Sequence, residues 1–366
     1  MSSLGIHFFQ NKAIQLLTVL IALWSSALGN NSGVFSEADS LYYPSETWLE
    51  TKDLNSAGWS AALLDEAEDY TRNLNTEAVV VVHKGKIVRK WGNVERKLKC
   101  HSVRKSFLSA LYGVFVDKGI IDLKSKLEEL NIDDNTPSLS KEERQATIEM
   151  LLKARSGIYH PALYETKSMA AKRPERHSHT PNTFWYYNNW DFNALGTIFE
   201  KETDISIFDA FKDYIANPIG MQNFDPKIDC QYYKGSASIH PAYLFEMNAM
   251  DMARFGLLFA RGGKWENKQI ISSEWIEASF TSYSDAGRNG GYGYLWWVAE
   301  DGKHFSGTDA PEGLITARGK GGQVIAIIPE MDLVVVHRVN TSVRGNSVSY
   351  SKFGQLLSKI LKAYKQ

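Results

Sequence analysis

A serine hydroxyl attacks a carbonyl only when a neighbouring group takes its proton, and a lysine three positions further along a helix lies on the serine's own face. Ser-x-x-Lys occurs three times in this 366-residue chain, at Ser102/Lys105, Ser138/Lys141 and Ser349/Lys352. Ser138 ends the polar linker Asp134-Asn135-Thr136-Pro137, and Ser349 belongs to a serine-rich lead-in to a terminal helix. A helix-capping role accounts for both. Ser102 differs, because Phe107, Leu111, Val114 and Phe115 fall on one face of the segment 102–118 and Gly119 follows, which predicts a largely buried helix. Its N-terminus would add positive potential and free N–H groups that favour an oxyanion on the attacked carbonyl. Lys105 can serve as the proton acceptor if desolvation or nearby positive charge lowers its pKa. Lys97, Lys99 and Arg104 supply such charge, and the same run reads equally well as a solvated basic surface.

The stretch His101-Ser102-Val103-Arg104-Lys105-Ser106-Phe107 resembles the nucleophile motif of serine β-lactamase and penicillin-binding-protein-like hydrolases, a family that includes class C β-lactamases, DD-peptidases and family VIII esterases. Those enzymes carry a Tyr-x-Asn element downstream, ahead of a helix ending in Leu-Gly. Here Phe184-Trp185-Tyr186-Tyr187-Asn188-Asn189-Trp190-Asp191-Phe192-Asn193-Ala194-Leu195-Gly196 supplies it in two registers, Tyr186/Asn188 or Tyr187/Asn189. Spacing from Leu195-Gly196 favours Tyr187 and Asn189. The resemblance implies that the tyrosine relays protons and the asparagine positions substrate and lysine.

The family's third element is a strand carrying Lys-Thr-Gly or His-x-Gly. The matching stretch is Thr316-Ala317-Arg318-Gly319-Lys320-Gly321-Gly322-Gln323, so Ala317 stands where the cation usually does. Strand side chains alternate, which turns Arg318 away from the face shared by Ala317 and Gly319. By resemblance, Ala317 and Gly319 border the substrate, and the backbone N–H of Lys320 joins that of Ser102 as an oxyanion donor. The implied activity is hydrolysis of a small ester or amide through a Ser102 acyl-enzyme, with Lys105, Tyr187 and Asn189 in support. In the family the strand cation pairs with the carboxylate of penicillin-like ligands, so a β-lactamase or DD-peptidase is the alternative reading. A binding or sensing member without turnover is a second alternative.

Several elements must position these residues. Leu63, Leu64, Ala67 and Tyr70 predict an amphipathic helix over 59–72, and Glu77 to Trp91 reads as a β-hairpin broken at Lys84-Gly85. Ser140-Lys141-Glu142-Glu143 matches a capping box opening a helix through Leu152. Further helices are expected at about 189–201, 205–216, 248–261 and 272–280, and a final one from Ser351 to Ala363. Tyr292–Val298, Gly313–Ala317, Gln323–Ile328 and Leu333–Val339 read as antiparallel strands. The expected fold is α/β (α+β) of the β-lactamase/transpeptidase type. Its sheet is built from about 59–99 and 251–366, with a helical subdomain inserted over about 100–250.

The chain is 43% hydrophobic, enough for a large core, and its 41 basic residues balance 42 acidic ones. Nothing in that balance calls for nucleic acid, and a small-molecule ester, amide or β-lactam-like partner fits better. Lys12, the apolar run 13–24 and the small residues Ser25 to Gly29 follow the order of a secretory signal. The run is shorter than the roughly 20 apolar residues of a membrane span. Residues 1–29 are therefore expected to be cleaved, leaving 30–366 exported, periplasmic or secreted, without stable membrane insertion. The spacing of Cys100 and Cys230 does not decide whether they are bridged. His177-Ser178-His179 lacks a third ligand at metal spacing, His160 reads as an exposed loop histidine, and Gly287–Gly293 is a turn; no cofactor is expected.

Overall fold

The computed structural model describes residues 41–365, so the signal-like segment lies outside them. Val79 to Val82 are all buried, as a strand covered on both faces requires. That strand, β1 (Ala78–His83), belongs to an eight-stranded antiparallel sheet with β2 (Lys86–Gly92), β3 (Ser284–Asp285), β4 (Gly291–Tyr292), β5 (Trp297–Val298), β6 (Ile315–Gly319), β7 (Gln323–Ile328) and β8 (Leu333–Arg338). The spatial order is β2-β1-β8-β7-β6-β5-β4-β3. The N-terminal hairpin thus closes onto the last strand, as the sequence implies.

Alternation along the strands creates two cores. On the back face, Val79, Val81, Val324, Ala326 and Val335 pack beneath α1 (Ala61–Thr71) and α5 (Tyr350–Lys362). On the front, Val80, Val82, Ile325, Ile327 and Val334 meet α2 (Arg104–Asp117), α3 (Asn189–Thr203) and α4 (Ala249–Ala260) in a larger core. α4 sits directly on the strands, because a Cβ at Gly256 would come within 2.5 Å of Val334 Cγ1. α2 runs through the middle: every residue from Arg104 to Phe115 is buried, and the Phe107 ring lies 4.8–5.4 Å from those of Phe211, Phe245 and Phe255. No described helix is long and apolar enough to cross a membrane.

Several expectations need correction. The helix expected from Ser140 to Leu152 is two pieces, a 3₁₀ turn at Glu143–Gln145 and a helix at Ile148–Leu152 capped by Thr147. The capping box forms, with Ser140 N donating to Glu143 Oε2 at 2.7 Å, but Arg144 and Ala146 give their carbonyls to Glu128 and Leu127 instead of to the next turn. Tyr292–Val298 is a tight hairpin between β4 and β5, because Leu295 has φ 64° and a Cβ at Gly293 would lie 2.0 Å from Ser279 O. His160 is not exposed: it is 5% accessible, with its ring 6.4 Å from that of Trp190. A three-stranded sheet of Leu98–Lys99, Ala242–Met247 and Cys230–Tyr233 was not anticipated.

That small sheet also explains why Cys100 and Cys230 are free thiols. Cys100 N donates to Phe245 O at 2.9 Å from one side, and Cys230 is the register partner of Phe245 on the other. A whole strand intervenes, roughly twice the 4.7–4.9 Å strand spacing and beyond disulfide reach.

Candidate active site

Ser102 lies in the 3₁₀ turn His101–Val103 that leads into α2. Buried Arg338 on β8 ties the segment before it to the sheet, donating from Nη2 to Leu98 O at 2.8 Å and from Nη1 to Met247 O at 2.6 Å. His101 has φ 49°, a backbone position most residues avoid. Its ring is held on both sides, with Nε2 2.8 Å from Thr341 Oγ1 and Nδ1 3.2 Å from Tyr164 Oη. Burial and nearby lysines lower its pKa to about 4, so the ring is neutral at neutral pH. Strained backbone of this kind persists only where surrounding contacts over-determine it.

The first turn of α2 brings Lys105 Nζ to 2.8 Å from Ser102 Oγ. The other partners come from the start of α3, Asn189 Oδ1 from its first residue and Tyr187 Oη from the residue before its cap, both at 2.9 Å. Asn188 is the N-cap of α3, its Oδ1 accepting Trp190 N at 3.1 Å, and its amide group is spent on Ile158 O and Asp191. Tyr186 turns aside to donate to Met169 O. Capping therefore leaves Tyr187 and Asn189, not Tyr186 and Asn188, beside Lys105. Asn189 is oriented in turn, its Nδ2 donating to Tyr164 O at 3.0 Å.

Lys105 is 2% exposed and has no carboxylate partner among the described ion pairs. Burial, and secondarily the charge of Arg104, hold its pKa well below the usual lysine range. Burial pushes the Tyr187 phenol up to about 12, against the pull of its Ser102 hydrogen bond and the charges of Arg104 and Arg318. Both shifts favour an uncharged amine beside an uncharged phenol. Such an amine has two N–H donors and one lone pair. Asn189 Oδ1 can only accept, so it takes one N–H. The other N–H and the lone pair divide between Ser102 Oγ and Tyr187 Oη, and either arrangement leaves a base within reach of one hydroxyl.

β6 closes the other side. A Cβ at Gly319 would come within 2.4 Å of Cys100 O, so only glycine permits this approach of strand to turn. Ser102 and Lys320, whose N–H groups were expected to face a common oxyanion, each lie close in sequence to that contact. Ala317 is fully buried on the same face. Arg318 lies on the opposite face, 4% exposed, donating to Thr316 Oγ1 at 2.8 Å and His304 O at 2.9 Å and stacking on Phe305 and Trp297. Trp297 stacks on Tyr187 with ring centroids 5.3 Å apart, adding an aromatic wall. Beyond His101 and Tyr164 a groove of about 390 Å³ runs along the small sheet, lined also by Lys99, Tyr233 and Glu246. His177 and His179 take no part; His179 stacks on Phe184, and no described group of three or more His, Cys, Asp or Glu side chains is placed to hold a metal.

The family model described as Beta-lactamase matches residues 66–352, which include all of these side chains. The chain belongs to the beta-lactamase family. Solved structures of similar fold include a Bacillus anthracis protein described as a 6-aminohexanoate-dimer hydrolase, at 18% identity and TM-score 0.61, with 88% of each chain covered. The octameric penicillin-binding protein homologue of Pyrococcus abyssi is 19% identical at TM-score 0.60, over 83% of this chain and 77% of that one. EstCE1, a hydrolase with promiscuous acyltransferase activity, is 14% identical at TM-score 0.60, over 82% and 98%. No curated protein matches. As a beta-lactamase family member the protein falls among hydrolases, and these neighbours support its fold.

Sequence reasoning missed some of the residues that hold the site. Tyr164 and Thr341 brace His101 from loops 63 and 240 residues away in sequence. Asp191, buried beneath Asn188 and bonded to Ser156 Oγ at 2.5 Å, fixes the start of α3. Its place in the first turn after an Asn cap was a legible signal.

Proposed function

We propose that the protein is a serine hydrolase that cleaves a small ester or amide lacking a carboxylate at the position penicillins carry one. The observation that carries this reading is Lys105 Nζ lying 2.8–2.9 Å from Ser102 Oγ, Tyr187 Oη and Asn189 Oδ1 at once. Ser102 Oγ attacks the carbonyl carbon as its proton passes to Lys105, forming a tetrahedral oxyanion at the N–H groups of Ser102 and Lys320. Collapse breaks the bond to the leaving oxygen or nitrogen, which departs with that proton, relayed through the Tyr187 phenol. Water then adds to the acyl-enzyme, gives a proton back through Lys105 and Tyr187, and releases the acid and free Ser102. The absence of a cation at Ala317, which is buried, and the rings of Trp297 and Tyr187 favour an uncharged group beside β6. Export is part of the same proposal and rests on residues 12–29 alone.

A panel of p-nitrophenyl esters of different chain length, anilides and a fluorescent penicillin tests this. Ester or anilide turnover that falls by at least about 10³-fold in Ser102→Ala is expected. Penicillin labelling that depends on Ser102 would shift the substrate to β-lactams or peptidoglycan. Unchanged ester turnover in Ser102→Ala would contradict the assignment.

A further inference from the structure

Arg104 follows Ser102 by two residues and precedes Lys105. A solvated surface arginine is one expectation for such a residue, but Arg104 is 1% exposed. Its guanidinium lies over the Tyr243 ring, 4.1 Å from the centroid, and Nη2 donates to Asn193 Oδ1 at 3.1 Å. Nε and Nη1 are buried without a partner. No described carboxylate pairs with it; the nearby buried acid on α3, Asp191, is engaged with Ser156 and Asn188, and burial pushes it toward its protonated form. Among the titratable groups around the pair, Tyr187, Asn189's neighbour Tyr164, Tyr243 from the small sheet, Tyr112 on α2, Tyr292 on β4 and His101 before Ser102 are neutral at neutral pH; Glu246 on the small sheet and Glu202 on α3 act on Tyr164 and Tyr112, and Lys99, Lys320 and Arg338 on His101, without pairing with Arg104 or Lys105. The remaining charge near Tyr187, that of Arg318, is also positive. A buried cation is retained at a large cost when no anion pairs with it, so a position this unfavourable calls for a compensating role.

Two adjacent buried cations without a counter-ion cannot both persist. A guanidinium keeps its proton where an ammonium gives it up. We propose that Arg104 is a positioning residue whose fixed charge keeps the Lys105 amine unprotonated and so sets the pH above which Ser102 becomes reactive. The inference rests on the serine-hydrolase reading above. Arg104 bonds Asn193 and Lys105 bonds Asn189, two residues one turn apart on α3, so the arginine is held near the amine and acts on it through its field. The direction of the Lys105 shift, with Arg104 as its second cause after burial, agrees with this.

The test follows the rate at which a fluorophosphonate probe labels Ser102 between pH 5 and 10, which needs no knowledge of the natural substrate. Asn193→Asp is the decisive variant, because it keeps the side chain's size and sets a carboxylate against the guanidinium to cancel its field; it also gives up the Nδ2 donor to Leu163 O at 3.0 Å, so a thermal melt accompanies it. The acid limb is expected to move up by about one pH unit or more, a loss of about tenfold at pH values below the limb. Arg104→Gln should move it the same way, and so should Arg104→Lys, because a buried ammonium without a counter-ion gives up its proton and with it the field. A purely structural arginine would be strengthened by the new ion pair, so an unmoved limb in Asn193→Asp overturns the proposal, whether or not Arg104→Gln folds. Absence of labelling in the wild-type protein at every pH would instead remove the serine-hydrolase reading, whereas labelled Ser102 with an unmoved limb removes only the role of Arg104.

Discussion

The two faces of β6 hold different chemistry within five residues. Toward Ser102 the strand shows Ala317 and Gly319, side chains reduced to a methyl and nothing, and the turn before Ser102 packs against them. Toward α5 it shows Thr316 and Arg318, joined to each other, to His304 and to the ring of Tyr350. Tyr350 links the faces, its hydroxyl donating to Gly319 O at 2.9 Å. The strand has not lost its cation. It carries one on the other face, where burial and hydrogen bonding hold it, and the period of two in strand side chains leaves it behind Trp297, one ring removed from Tyr187. A single position in register separates a charge that could bind substrate from one that holds a helix to a sheet.

If that division is right, changes on the front face should act on turnover and changes on the back face on stability. The largest effect is expected at Gly319. Gly319→Ala must push β6 away from Cys100 O, and a displacement of about 1 Å between β6 and the Ser102 turn is worth about 100-fold in turnover. Ester hydrolysis and a thermal melt together check this; activity within threefold of wild type would break the comparison. The next effect is His337 on the back of β8, where burial holds the imidazole at a pKa of about 4 against its ordinary 6.5. The unfolded chain therefore binds more protons between those values. The neutral ring's contribution is present above pH 6.5 and lost as pH falls to about 4, about 3 kcal/mol at most. Urea unfolding across that window should show a slope shallower by up to one proton in His337→Asn, with no change in the labelling of Ser102 at pH 7.5. The smallest effect on activity is expected for Arg318→Met. It loses hydrogen bonds worth about 1–3 kcal/mol of stability, while the rate of Ser102 labelling stays within about threefold. Loss of labelling with unchanged stability would place Arg318 on the functional side after all.

The parts of this architecture written in local pattern were legible. α2 announces itself by Phe107, Leu111, Val114 and Phe115, and its neighbours by caps at Asn188, Asn248 and Ser272. Ser102 and Lys105 could be picked out by the apolar helix behind them, and Tyr187 and Asn189 by the resemblance of their segment to the family's Tyr-x-Asn element and its spacing from Leu195-Gly196. What escaped was decided by distant partners. The strands of two residues, Ser284–Asp285 and Leu98–Lys99, have too little length for an alternating pattern and exist because Gly291 and Met247 lie opposite them. The 140–152 helix broke because the 127–128 segment captured its carbonyls. Arg104 read as either site charge or surface charge, and only Tyr243 and Asn193, brought over it by the fold, place it inside.

The central claim is that Ser102 is the nucleophile, and covalent trapping tests it most directly. Incubation of the folded protein with a fluorophosphonate, followed by intact-mass and peptide-mapping mass spectrometry, should give one adduct per chain on Ser102 and none in Ser102→Ala. An adduct on any other residue, or a folded protein that stays unmodified at every pH, would contradict it.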